Sequence, residues 1–595
     1  MTGYTPPLQE MRFVLNELAG LAAIAELPGL EETTPDLVDA ILEEAGRLGA
    51  DVLAPLNKSG DEQGAVLENG VVRTPDGFRE AYRQFVEGGW NGMSFDPDIG
   101  GQGQPWLVTT AAQEIWHAAN MAFMLCPLLT QSAIELLVTH GTDELRELFL
   151  EKLVTGEWSG TMDLTEPQAG SDLARIRCRA VEENGYYRIT GTKIFITYGE
   201  HDMADNIVHM VLARTPNSPE GVRGISLFVV PKFLVKDDIS PGERNDLKCV
   251  SLEHKLGIRA SPTAVMSYGD DGGAIGYIVG EENRGIEYMF TMMNNARLAV
   301  GLEGVAIGER AYQQARDYAR ERVQSRKQGS NSAEAVAIIE HPDVKRMLLS
   351  MKSQTEATRA VAYFVASQLD TARRHPDATQ RAEAQALVDF LIPVVKAWSS
   401  DTGIAVADTG IQIHGGMGFI EESGAPQHLR DARIAAIYEG TNGIQANDLV
   451  GRKVTRDEGT AAARFIAMAK EVADQLTGAD DNNLKAIGSA LATGASALAE
   501  STDWIVGNNS LEAVNAGAVP YLRLLGLVAG GWAMGRAAQV AVNYRNAGDD
   551  NSGFYRAKIL TARFYAEHLL PETSSLSAVV IHGSSTVSMA TETDF

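Results

Sequence analysis

The stretch RDARIAAIYEGTNGIQANDLVGRK, residues 430–453, puts one carboxylate where proton transfer is chemically reasonable. Glu439 follows the apolar run Ile434-Ala435-Ala436-Ile437 and precedes Gly440. Thr441 and Asn442 are helix-capping residue types, so a helix over 443–453 is predicted to start just after the glutamate. Glu439 is then on a short turn between helices, with apolar neighbours. Removing water from a carboxylate raises its pKa and makes it a better base. The position also suits an ordinary acid at a helix N-terminus, stabilised by the dipole. The stretch alone leaves both readings open.

Four other stretches have residues suited to ligand contact. MDLTEPQAGS (162–171) ends an extended segment in a turn whose backbone N–H groups are able to bind carbonyls or phosphates; a plain turn of a β domain is the alternative. KIFITYG (193–199) alternates as a strand, a pattern more common in cores than in cofactor sites. Asn294 and Arg297 share a face of a predicted long helix, and at its end Arg322 offers a guanidinium fork that matches phosphate. IQIHGGMGF (411–419) contains Gly415 and Gly416, which let a backbone approach a ligand closely or simply cap a helix.

These stretches need a large scaffold. At 595 residues the chain is too long for one ordinary core, and 45% hydrophobic with 22% charged residues is normal globular composition. A net charge of -27 argues against a nucleic-acid role, which needs a basic face. Cys126, Cys178 and Cys249 are scattered and form no CxxC, which argues for a reducing compartment and against a disulfide framework or a zinc site. No apolar run looks long enough to span a bilayer, and MTGYTPPLQEMRF lacks the features of a signal peptide, so a cytoplasmic protein is expected.

Residues 1–157 read as mostly helical, with stripes over 13–25, 35–48, 128–138 and 144–153. Between them, WNGMSFDPDIGGQGQP reads as a structural loop. From Gly160 to about Gly280, short β-branched and aromatic runs broken by turns predict a β domain. Helical periodicity returns over 285–323, 338–369, 379–407 and 444–453, enough for an antiparallel bundle, with a polar connection at 330–337. Further helices are expected over 461–476, 484–501, 511–544 and 553–570, followed by a small, polar, loose tail.

In this order and spacing the motifs resemble those of the flavin-dependent acyl-CoA dehydrogenases, long bacterial branch. The resemblance rests on YEGT, TEPQAGSD, KIFIT, the arginines of the long helix and QIHGGMG. It covers about residues 30–455 through motifs, and the remainder by length and helicity. The implied fold is α+β and multidomain. It has an N-terminal helical domain (1–158), a central β-barrel-like domain (159–281), a C-terminal four-helix bundle (282–457) and an extra C-terminal helical domain (458–595).

The resemblance implies FAD as cofactor and no metal. Glu439 would remove the α-proton of an acyl-CoA thioester while a hydride leaves the β-carbon for flavin N5, giving the trans-2-enoyl-CoA. Met162, Leu164, Thr165, Phe195, Ile196 and Thr197 would surround the flavin, which Thr441 and Gly443 also approach. Arg322 and Gln324 would meet the pyrophosphate. Gln412, Gly415 and Gly416 would hold the adenosine end of FAD bound mainly by a neighbouring subunit. Ser171 would reach the pantetheine or the cofactor phosphates, Asn294 and Arg297 the CoA moiety, and Tyr438 and Gly440 the thioester region. Some relatives place the base immediately before the long-helix arginine; here that residue is Ala296, which cannot take a proton. Three positions depart from the common pattern: Phe195 where many relatives have Trp, Asn294 where many have Asp, and Ser325-Arg326 where Gly is usual. The implied partners are an acyl-CoA, an electron-transfer flavoprotein and further copies of the chain, as a homodimer or dimer of dimers. The expected substrate is a short- to medium-chain acyl-CoA, with 3-methylmercaptopropionyl-CoA a candidate. A broad fatty acyl-CoA dehydrogenase of β-oxidation, an acyl-CoA oxidase and a non-catalytic acyl-CoA-binding protein are the alternatives.

Overall fold

The computed structural model describes residues 3–327, 329, 333–550 and 552–595. The chain divides into two compact units built from interleaved segments. One comprises Glu44–Gln104 and Ala119–Ala299; the other Met1–Glu43, Pro105–Ala118 and Val300–Phe595.

The first unit combines helices with an eight-stranded sheet. Helix Met121–His140 starts where the Asn120 side chain accepts from the Phe123 N–H (3.1 Å). It is long and apolar enough to cross a membrane by length and composition, which the sequence reading did not anticipate, yet most of it is buried inside the unit. Strand Trp158–Asp163 packs on this helix so closely that a Cβ at Gly160 would lie 2.6 Å from Ala133 Cβ. That strand pairs in parallel with Asn206–Ala213; the other pairs of the sheet are antiparallel. Strand Tyr186–Thr197 is the hinge of the sheet: its C-terminal half pairs with Thr263–Tyr268, and its N-terminal half pairs with Ala274–Ile278 and with Arg179–Glu183. The path ends at Leu247–Leu252 and at Trp158–Asp163. Ile189, Ile196, Phe228, Val230, Met266 and Tyr268 fill the core between its strands. The Gly/Pro/Asp loop is a structural turn, as expected. The Gly101 N–H bonds Asp96 O at 3.0 Å, and a Cβ at Gly101 would lie 2.1 Å from Phe95 O.

The second unit is helical. The long helix Gly285–Glu321 enters it, followed by Pro342–Arg374 and Ala378–His414. The fourth bundle element covers the expected 444–453: helix Asn442–Asp448 is continued by wider helical turns over Leu449–Val454. Helix Trp106–Ala119, which the periodicity did not reveal, belongs to this unit. The C-terminal helices share its core. Helix Ala518–Ala547 presses on Ala378–His414 where a Cβ at Gly526 would lie 2.4 Å from Trp398 Cγ. On Phe554–His568, Lys558 is buried and pairs with Glu10 and with Glu356 (2.9 Å). Of the polar connection at 330–337, residues 330–332 lie outside the described residues; Ala335–Ala337 instead forms a hairpin with Val323–Arg326. The expected loose tail contains helices Glu572–His582 and Ser584–Met589.

Candidate functional site

The turn carrying Glu439 is held by buried donors. A 3-10 turn, Arg433–Ala436, ends just before it, and Thr441 caps Asn442–Asp448 by accepting from the Ile444 N–H (3.3 Å). Between these, Glu439 adopts a left-handed backbone (φ 55°), followed by Gly440 (φ 79°). The left-handed region costs a non-glycine residue about 1–2 kcal/mol, so surrounding structure must impose it. Gln445, fully buried, donates to the carbonyls of Glu439 (3.1 Å) and Gly440 (3.4 Å). Lys396, also fully buried, donates to Gly440 O and Asn442 Oδ1, both at 2.9 Å. Asn442 in turn donates to Asp401 (2.7 Å) and Ser400 (3.1 Å). The carbonyls of the turn are thus pinned inward by side chains of its own unit.

Glu439 itself is half-buried, less enclosed than its apolar neighbours suggested. The fully buried carboxyl beside it is Glu303, on the long helix, which accepts a hydrogen bond from Tyr438 Oη at 2.5 Å. Burial, reinforced by the Glu439 charge, pushes the Glu303 pKa up to about 8, although the Tyr438 bond and the nearby Lys396 charge oppose the shift. Burial and the Glu303 carboxyl raise the Tyr438 phenol well above its usual range. Sequence reasoning missed Glu303 and Lys396. Each is a single charge inside an apolar run, AVGLEGVAIG and IPVVKAW, and that is the signal that could have found them.

Two further segments of this unit contain predicted positions. Helix Ala378–His414 ends at Gly415 (φ 61°), and a Cβ added at Gly415 or Gly416 would meet nothing within 4 Å. Gln412 is exposed beside them, as are Met417, Phe419 and Ile420. His414 stacks on Tyr318 with ring centroids 4.4 Å apart and bonds Gly410 O through Nδ1, a structural role. Arg322 and Gln324 lie exposed at the Val323–Arg326 hairpin, 3.5 Å apart, with Ser325 left-handed (φ 61°). Gly443 sits in the first turn of Asn442–Asp448.

The first unit holds the remaining predicted residues. Thr165 O accepts from the Ile194 N–H (2.9 Å), which lays the TEPQAGS turn along strand Tyr186–Thr197. Buried Lys193 locks this arrangement through Leu164 O (3.0 Å) and Glu166 Oε1 (2.9 Å). Burial would raise the Glu166 pKa, but the Lys193 charge and N–H donors from Arg177 and Cys178 bring it below the usual carboxylate range. Phe195 is left-handed (φ 61°) and 59% exposed on an otherwise well-packed sheet. Thr197 is half-buried, and Met162 and Thr165 are likewise partly accessible. Ile196 packs in the sheet core, so only its backbone remains for a ligand. Ser171 is exposed at the turn. Arg297 is buried rather than solvated, with Nη1 3.3 Å from Asn294 Oδ1, and Ala296 beside it is fully buried.

Comparison with known proteins gives a consistent result. Family models described as acyl-CoA dehydrogenase N-terminal, middle and C-terminal domains match residues 36–157, 161–270 and 283–454, and one described as acetyl-CoA dehydrogenase C-terminal like matches 465–590. The chain is 50% identical over 575 residues to the 3-methylmercaptopropionyl-CoA dehydrogenase of Ruegeria pomeroyi, covering 96% of this chain and 97% of that protein. It is 33% identical over 602 residues to the broad-specificity linear acyl-CoA dehydrogenase FadE5 of Mycobacterium tuberculosis, covering 98% of each. The crystal structure of a Bacillus anthracis acyl-CoA dehydrogenase complexed with FAD superposes with a TM-score of 0.70 at 19% identity, over 98% of this chain and 92% of that one.

Proposed function

The chain belongs to the acyl-CoA dehydrogenase family, and from that premise we propose that it converts a short- to medium-chain acyl-CoA to the trans-2-enoyl-CoA, with Glu439 as the α-proton base. The observation that carries the assignment is the turn itself. A strained left-handed glutamate is pinned by buried Lys396 and Gln445, next to a tyrosine that contacts a buried acid. Strain held this firmly is characteristic of functional positions.

The residues present fit FAD. Phe195 offers an exposed aromatic face, the backbone at Gly415 and Gly416 has open space around it, and Arg322 is an accessible fork for a pyrophosphate. When bound, the flavin supplies the hydride acceptor. Leu164, Thr165, Phe195 and Thr197 would line its ring, joined by Met162 and the Ile196 backbone, with Thr441 and Gly443 at its edge. Arg322 and Gln324 would hold phosphate, and Gln412, Gly415 and Gly416 an adenosine end. The exposed Met417, Phe419 and Ile420 alongside support completion of that end by a second copy of the chain, as a homodimer or dimer of dimers.

For the substrate, Arg297 fixed against Asn294 would hold the CoA moiety together with Ser171. Gly440 has no side chain and lets a thioester lie against the backbone. The N–H of Glu439 would polarise the thioester carbonyl, stabilising the enolate that develops as the carboxylate takes the α-proton. Electrons would leave to an electron-transfer flavoprotein. The three cysteines, free and buried, are in keeping with a reducing cytoplasmic location.

The 50% identical relative favours 3-methylmercaptopropionyl-CoA as substrate. FadE5, similar over the whole length, keeps a broader range of linear acyl-CoAs as the second reading. A turnover panel of short- to long-chain acyl-CoAs plus the thioether decides between them. The thioether and short linear thioesters are expected to show the highest kcat/KM with an electron-transferring dye, with little peroxide formed. A preference for long chains overturns the substrate assignment, and rapid peroxide formation identifies an oxidase.

A further inference from the structure

Glu303 has no part in the proton and hydride transfers just described, yet it is built into the fold at high cost. Helices Gly285–Glu321 and Ala378–His414 approach backbone to backbone on either side of it: a Cβ at Gly301 would lie 2.6 Å from Val395 O, and one at Gly304 2.2 Å from Ser399 O. Between these contacts the Glu303 side chain is fully buried. Its Oε2 accepts from Tyr438 at 2.5 Å, while Oε1 is buried with no hydrogen-bond partner among the described residues. A carboxyl left half satisfied in the interior destabilises the fold, so its retention calls for a physical reason, and a role at the adjacent site is one. The ionisable groups facing it are Lys396 from Ala378–His414, and Tyr438 and Glu439 from the turn.

We propose that Glu303 is a positioning residue for the base: through Tyr438 it sets the turn, and its ionisation tunes the readiness of Glu439 to accept the α-proton. The inference rests on Glu439 being that base. While Glu303 is neutral, Glu439 carries the only carboxylate charge of the pair. Once Glu303 ionises, two like charges face each other, and moving the charge of Glu439 onto the substrate relieves the repulsion. Proton abstraction therefore quickens as pH rises through about 8, the value to which Glu303 is pushed. With Brønsted behaviour, the gain is roughly threefold for each pKa unit added to the base.

The test is the pH profile of flavin reduction in an anaerobic single turnover at saturating acyl-CoA, using FAD-loaded wild type, Glu303→Gln and Tyr438→Phe. The amide of Glu303→Gln still accepts from Tyr438 but does not titrate, so the rise near pH 8 is expected to vanish while acyl-CoA affinity changes less than about twofold. Tyr438→Phe removes a bond that favours the charged carboxylate, so the rise is expected to move to higher pH; this variant decides the matter if Glu303→Gln does not fold. A rise that stays in place in the folded variants overturns the proposal. A Glu439→Gln control separates the two failures: if it remains active, the base assignment is wrong, and if it is inactive while the rise persists, only the role of Glu303 is wrong.

Discussion

Glu439→Gln is expected to keep FAD content and acyl-CoA affinity and to lose turnover by roughly 10²–10⁴-fold or more, the usual contribution of a positioned base. What holds the turn is the pair of carbonyls gripped by Gln445 and Lys396, together with the Thr441 cap. A glutamine at 439 is the same size, bears the same left-handed strain and leaves those bonds in place, but it cannot hold a proton. Loss of kcat without loss of flavin absorbance or ligand binding therefore isolates the chemical step. A fully active variant would reject Glu439 as the base.

Arg359→Met is expected to destabilise the protein by about 3–5 kcal/mol, read as a lower denaturant or thermal midpoint. Arg359 is fully buried and donates to Glu114 through Nε (2.9 Å) and Nη2 (2.6 Å), and to Glu309 through Nη2 (2.8 Å); Tyr363 adds a bond to Glu114 at 2.8 Å. Burial alone would lower the guanidinium pKa, but the two carboxylates raise it well above its usual value, so the cation is secured. Removing it leaves two carboxylates facing each other in the interior. An unchanged midpoint would show that the triad relaxes or hydrates without penalty.

These two sites differ in how far the sequence discloses them. The Glu439 turn is legible because its determinants are local: an apolar run, a glycine and a capping threonine within a few residues. The motif strands are legible for the same reason, and strand Tyr186–Thr197 ends where KIFIT predicts. The Arg359–Glu114 pair spans 245 residues, and no local pattern announces it. Helix Trp106–Ala119 escaped notice because it is buried on every side, and its polar residues Thr110, Gln113, Glu114 and His117 face the interior instead of solvent. The Ser-rich end looked loose, yet Thr573, Ser577 and Val580 are buried on helix Glu572–His582, and Val580 O lies 3.4 Å from where a Cβ of Gly517 would stand. The fully buried acid at the site is Glu303, while Glu439 is only half-buried, because helix packing decides which carboxyl loses its water.

The central claim is that one carboxylate takes a proton from Cα while Cβ gives up hydride in the same event. Anaerobic single-turnover reduction of the flavin, with acyl-CoA deuterated at Cα or at Cβ, tests it most directly. Each label is expected to slow the same bleaching phase of the wild-type enzyme, and Glu439→Gln should not bleach on that timescale. Bleaching that ignores the Cα label, or that persists at the wild-type rate without the carboxylate, would contradict the account.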